Sequence, residues 1–234
     1  MDKGRENPAF LSRGQIVLRS VAAIGLLFAG LFIPAGSLRW PQAWVFVSLY
    51  LSSVAGFFVW TKKRDPGLLK ERISPAKNVK VWDRTIVRIY TFLLVVMIVL
   101  AGMDAVRFRW SRVALGLNLV GFAGLVLALG LAFWATRENT FASSLVRIQT
   151  DRGHRVCSTG PYAHVRHPMY VGVILSIICF PLALGSFFAL IPAGIIVGLF
   201  ILRTFLEDKS LEAELLGYKE YAQKVRFRLI PGIW

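Results

Sequence analysis

Acidic residues are scarce in this chain: 13 Asp and Glu stand against 28 Lys and Arg, a formal net charge of +15. Its two cysteines, Cys157 and Cys179, are too few for a secreted disulfide scaffold. Its twenty glycines never fall two apart, so the glycine-rich dinucleotide fingerprint and the P-loop are both excluded as written. Internal repeats, low-complexity tracts and glycosylation sequons are absent as well. Charged residues reach only 18%, against roughly 25% in an ordinary soluble domain.

What fills the space is apolar: 56% of the chain, with a mean hydropathy of +0.58. Surplus basic charge on a soluble chain would suggest nucleic acid. Here the basic residues sit between long apolar runs, so the expected partner is an anionic headgroup layer and not nucleic acid. Four long runs cover Val17–Ile33, Ala43–Trp60, Ile86–Met103 and Val113–Ala135, and two shorter ones cover Tyr170–Leu184 and Phe187–Leu202. None alternates like a barrel strand, so all six read as helices. The first is followed by five more and by a poor cleavage context, Pro34-Ala35-Gly36, and reads as a helix and not as a signal peptide. The expected fold is an all-α polytopic membrane bundle of about six transmembrane helices, the last two a short hairpin. It is one integrated membrane domain, with four spans in residues 1–136 and the hairpin and tail in 137–234.

Placing the N-terminus inside puts 22 Lys and Arg in the inner segments, from Lys3, Arg5 and Arg13 through Lys77 to the tail. The outer loops then hold 4: Arg39, Arg107, Arg109 and Arg112. That asymmetry predicts both termini in the cytosol. The basic segment Thr61–Arg84 is expected along the inner surface, dipping Leu68, Leu69, Ile73, Val79, Val81 and Trp82 into the interface. Small residues at helical spacing, Gly124/Ala128/Ala132 and Gly194/Gly198, predict close helix contacts.

Polar chemistry concentrates in two inner segments, Gln149–Gly172 and the stretch from Arg203 into the tail, where Tyr218 and Tyr221 fall. Arg203 and Glu207, four apart, share a helix face. Ionisable groups near a membrane are costly unless they face a bundle interior or a wet cavity. His154, Cys157, His164 and His167 superficially copy a zinc spacing, but the link is short and constrained by Pro161 and Pro168, so no metal is expected. Cys157 is expected to be a bystander, and Cys179 core.

The run Gly160-Pro-Tyr-x-x-x-Arg166-His167-Pro168-x-Tyr170-x-Gly172, then a hairpin and Arg203-x-x-x-Glu207-Asp208, resembles the isoprenylcysteine carboxyl methyltransferase and phospholipid methyltransferase superfamily. The resemblance covers roughly residues 139–234. It implies an integral membrane methyltransferase using S-adenosyl-L-methionine and a lipophilic acceptor, an isoprenylcysteine carboxylate or similar. By the same resemblance, cofactor contacts fall on Gln149, His154, Arg155, Val156, Cys157, Tyr162, His167, Pro168, Met169, Tyr170 and Glu207, and Arg203 holds the acceptor. The phospholipid branch carries adjacent glutamates in the tail, where this chain has Glu207-Asp208.

The residue types suit that job. Glu207 or Asp208 suits the ribose hydroxyls or ammonium of such a cofactor, Arg166 and His167 its carboxylate, and Tyr162 and Tyr170 its adenine. The soluble cofactor would come from the cytosol and the acceptor from the bilayer, which places the site at the inner interface. The membrane is then the plasma or inner membrane of a bacterium, or the endoplasmic reticulum of a eukaryote. The competing readings are an NADPH-dependent membrane sterol or enone reductase, although Val173 follows the motif glycine where those enzymes carry an acid, and a non-catalytic membrane protein.

Overall fold

The computed structural model describes residues 13–73 and 78–234; Lys3, Arg5 and Lys77 lie outside the described residues. Eight α-helices carry the chain: α1 Arg13–Ala35, α2 Pro41–Arg64, α3 Pro66–Ile73, α4 Val81–Gly102, α5 Leu115–Glu138, α6 Pro168–Leu184, α7 Leu190–Glu214 and α8 Tyr218–Lys224. Among the described residues there is no strand, and helix accounts for 75%. Five helices are long and apolar enough to cross a membrane: α1, α2, α4 with its continuation to Phe108, α5 and α7. Large apolar side chains such as Leu26, Phe92 and Leu127 are two-thirds or more exposed on their flanks, as lipid-facing surfaces require. The protein is an integral membrane helical bundle.

Proline and glycine mark the helix ends. Pro41, Pro66 and Pro168 open α2, α3 and α6, where a missing N–H costs nothing. The Asp65 carboxylate caps α3 by accepting the Leu68 N–H at 2.9 Å. Gly185, at φ +86°, ends α6 in the left-handed conformation and turns the chain into α7.

Two expectations change. The last helix, expected to be short, runs for 25 residues to Glu214, and its first charged residue, Arg203, is neutralised inside the bundle. Leu68 does not dip toward lipid: α3 folds against α2, and Leu68 is fully buried in protein. The short hairpin is thus short only in α6, with 17 residues.

α5 and α6 form the tightest seam. A Cβ at Gly121 would lie 2.4 Å from the Ala183 backbone nitrogen, and one at Gly172 would lie 2.9 Å from the Ala128 carbonyl oxygen. The Asn118 amide also donates to the Leu182 carbonyl at 2.8 Å, one of the last-turn carbonyls at the end of α6. Gly194 and Gly198, expected to pack likewise, have open space around them. At this end a π-helical turn, Met103–Phe108, presents the buried Asp104, which accepts from Ser111, Ser186 and the Phe188 N–H and ties the α4–α5 connection to the α6–α7 turn.

Candidate active site at one end of the bundle

The opposite end is built from α3, the 139–167 loop, the end of α7, α8 and the tail. A web of ion pairs holds it. Asp208, 1% exposed, accepts from Arg166 Nε (2.8 Å) and Nη2 (2.7 Å), Arg228 Nε (2.8 Å) and the Tyr218 hydroxyl (2.7 Å), with His167 Nε2 at 3.2 Å. Arg166 Nη1 donates to the Val225 and Arg226 carbonyls. The N–H groups of Arg166 and His167 donate to the Phe227 and Arg228 carbonyls, so the tail is laced to the Arg-His-Pro turn. Expected as cofactor contacts, Arg166 and Asp208 have their charges spent on each other and on this lacing.

Arg203 is likewise engaged. Its Nε and Nη2 bind the Asp83 carboxylate at 2.7 and 3.2 Å, and Nη2 also donates to the Ser144 carbonyl. Asp83, at 0% exposure, in turn accepts the Val146 N–H. Four positions apart, Arg203 and Glu207 make different partners: Glu207 accepts from the Tyr170 hydroxyl. Arg147 bridges Glu71 bidentately at 2.7 and 2.8 Å and reaches Asp151 at 2.9 Å, and these partners raise its pKa.

Between these supports lies a cleft with about 760 Å³ of atom-free space counted out to its mouth. His154, Arg155, Val156, Cys157, Tyr162, Arg166, His167, Met169, Tyr170 and Glu207, all read from the sequence as cofactor contacts, line it. Gln149, Pro168, Asp208 and Arg203 do not. Gln149 is fully buried behind the wall, donating to the Phe141 carbonyl and accepting from Arg152. Pro168 starts α6.

The cleft has a polar and an aromatic character at once. Arg155 is exposed and, among the described residues, has no acidic partner. Among the same residues Tyr170 is the one hydrogen-bond donor to Glu207. Tyr162, Tyr218 and Tyr221 have phenol pKa values pushed up, chiefly by burial, so they enter chemistry only as neutral donors. Burial, then Arg147 and Arg152, push His154 down to about 4. The Gln149 N–H meets His154 Nδ1 at 3.3 Å, so the neutral ring carries its proton on Nε2. Cys157 Sγ contacts the Glu138 carbonyl, and His167 is turned to Asp208. Among the described residues no group of three or more His, Cys, Asp or Glu is disposed to hold a metal ion.

Sequence reasoning missed Asp83, Phe141 and Leu211. Phe141 stacks at 4.7 Å on His154 and forms part of the cleft wall, but nothing marks it among 17 phenylalanines. Asp83 carried a usable signal, as a rare acid at the mouth of an apolar helix.

A helical bundle with five membrane-crossing helices and a polar cleft at one end defines a polytopic membrane protein with a loop-and-tail site. Residues 120–213 match the isoprenylcysteine carboxyl methyltransferase (ICMT) family model. Together with the membrane bundle, that match supports a membrane methyltransferase. No curated protein matches the chain.

Proposed function

We propose that the cleft binds S-adenosyl-L-methionine from the cytosol and that the protein methylates a lipophilic acceptor, an isoprenylcysteine carboxylate or a similar anion. The observation that carries this reading is the donor set of the cleft. A carboxylate with one hydrogen-bond donor, Glu207, and an unpaired guanidinium, Arg155, line the same space as Tyr162, Tyr170, Phe141 and His154. Such a cofactor has an ammonium, ribose hydroxyls, a carboxylate and an adenine. Glu207 suits its ribose hydroxyls or ammonium, Arg155 rather than Arg166 suits the carboxylate, and the rings suit the adenine.

The cofactor would supply an activated methyl group, and in-line displacement asks the protein chiefly for alignment and exclusion of water. The Arg166–Asp208–Arg228 lacing fixes Tyr170 and Glu207 by holding the start of α6 against the end of α7. His154 adds an Nε2–H donor. The basic surface around the cleft end suits anionic headgroups, and nucleic acid has no part in this reading.

Calorimetric titration of the purified full chain with S-adenosylhomocysteine tests it. Saturable binding is expected, with affinity lowered by about 10- to 150-fold in Glu207→Gln, the range for losing one charge-assisted bond. NADPH should give no heat. Absent S-adenosylhomocysteine binding in the wild-type protein, or unchanged affinity in Glu207→Gln, overturns it.

A further inference from the structure

Apart from the cleft, the membrane-facing surface carries a groove between α2 and α5 with about 1,130 Å³ of atom-free space, counted to its open side. Its walls are apolar, with Val54, Phe57, Leu129 and Phe133 among them. At one end stands Arg72 of α3. Its Nε and Nη2 donate to the Ala142 carbonyl at 3.1 and 2.9 Å, and its guanidinium lies 4.9 Å from the Phe57 ring centre. Among the described residues it has no acidic partner, whereas Arg147, Arg166 and Arg203 each have one. Burial lowers its pKa, the mark of a cation without a compensating anion. A cation so placed is costly unless something anionic joins it.

Arg72 also touches the cleft from behind. Its Nη2 sits 3.7 Å from Met169 Sδ, and both Met169 and Ala142 line the cleft. The groove is open by construction: Gly56 and Gly130 line it from the two facing helices, and a Cβ on either meets nothing within 4 Å. Tyr50 and Leu129 are shared with a second apolar pocket of about 810 Å³ deeper in the bundle, which lengthens the space for a chain.

The geometry points to Arg72 as the anchor for the acceptor's anionic head, with its hydrocarbon chain lying in the α2–α5 groove. This inference rests on the proposed methyl transfer and assigns Arg72 and the α2–α5 groove to the carboxylate head and the tail of its acceptor. Arg203, expected from sequence to hold the acceptor, has its guanidinium committed to Asp83. In the transfer, a carboxylate oxygen of the acceptor forms a bond to the methyl carbon as the carbon–sulfur bond of the methylsulfonium donor breaks. The bonding pair stays on sulfur, giving a neutral thioether and a neutral ester, and no proton moves. The ester has lost the charge that Arg72 holds, so binding favours substrate over product at this point alone.

The test uses the full chain in detergent micelles and two probes, N-acetyl-S-farnesylcysteine and its carboxamide. The wild-type protein should bind the carboxylate at least tenfold more tightly than the carboxamide. Arg72→Gln should abolish that preference, Arg72→Lys should restore part of it, and both should keep wild-type affinity for S-adenosylhomocysteine. Gly130→Leu, which fills the groove without a clash at Cβ, should weaken both probes and leave S-adenosylhomocysteine unaffected. A preference that survives in Arg72→Gln, a parallel loss of S-adenosylhomocysteine affinity in that variant, or an unaltered probe affinity in Gly130→Leu overturns the assignment. If the wild-type protein shows the charge preference yet fails to bind S-adenosylhomocysteine, the Arg72 assignment stands and the proposed cofactor falls.

Discussion

His154 shows how one ring can be held in a single protonation state. Partial burial and the positive field of Arg147 and Arg152 set its pKa near 4, below the ordinary 6.5 of an unfolded chain. The sign of the consequence follows from linkage. Between those two values the unfolded chain takes up a proton that the folded chain refuses, so stability falls as the pH drops from about 6.5 to about 4. Above about 6.5 the term is constant. In His154→Phe this part of the acid loss disappears, and thermal melts of variant and wild-type protein should converge as the pH falls through that window. Melts that keep a constant separation at every pH would contradict it. Other residues speak less plainly from sequence alone. The Arg203–Asp83 pair joins positions 120 apart, and no local pattern announces such a partner. Asp208 reads as a ligand because acids near a membrane end are rare, yet its five donor atoms come from three separate segments of the fold.

Among the elements, hydropathy reveals those that face lipid and misses those that face protein. α1, α2, α4 and α5 were legible because a run of apolar residues long enough to span is itself the signal. α3 was not: its eight residues, Pro-Gly-Leu-Leu-Lys-Glu-Arg-Ile, lack that length and depend on Asp65 as a cap and on α2 as a wall. The small residues divide in the same way. Gly121 touches backbone across the α5–α6 seam, whereas Gly198 meets nothing, although the sequence spacing around each suits packing equally. Gly121→Ala should therefore destabilise by about 1–3 kcal/mol, the usual cost of overfilling a packed contact. Gly198→Ala should be neutral or stabilising by up to about 1 kcal/mol, since it only removes unfolded-state freedom. Thermal denaturation in one detergent compares the two; similar losses in both would refute the packing difference.

For the whole molecule, the charge asymmetry of 22 to 4 predicts that the cleft end faces the cytosol. Leu216, 97% exposed beside α8, and Arg112, exposed on the α4–α5 connection, mark the two ends. Cysteines introduced at these positions should react with an impermeant maleimide from opposite faces of sealed vesicles, above the signal of Cys157 and Cys179. Labelling of Leu216→Cys from outside intact cells would reverse the orientation. The 17 residues of α6 carry a further meaning once the bundle is set in a bilayer. At 1.5 Å per residue they reach about 25 Å, several Å less than a hydrocarbon core of about 30 Å. A bilayer meets such a deficit by thinning, at a fraction of a kcal/mol per Å. Such thinning would draw the headgroup layer inward at the cleft end of α6, next to the buried His167 and Pro168. Water and its solutes are brought down to the lipid there, so an amphiphile gives up little of its solvation to meet a polar reagent. In the proposed reaction, such a dimple in the membrane would be as much a part of the reaction vessel as the protein wall.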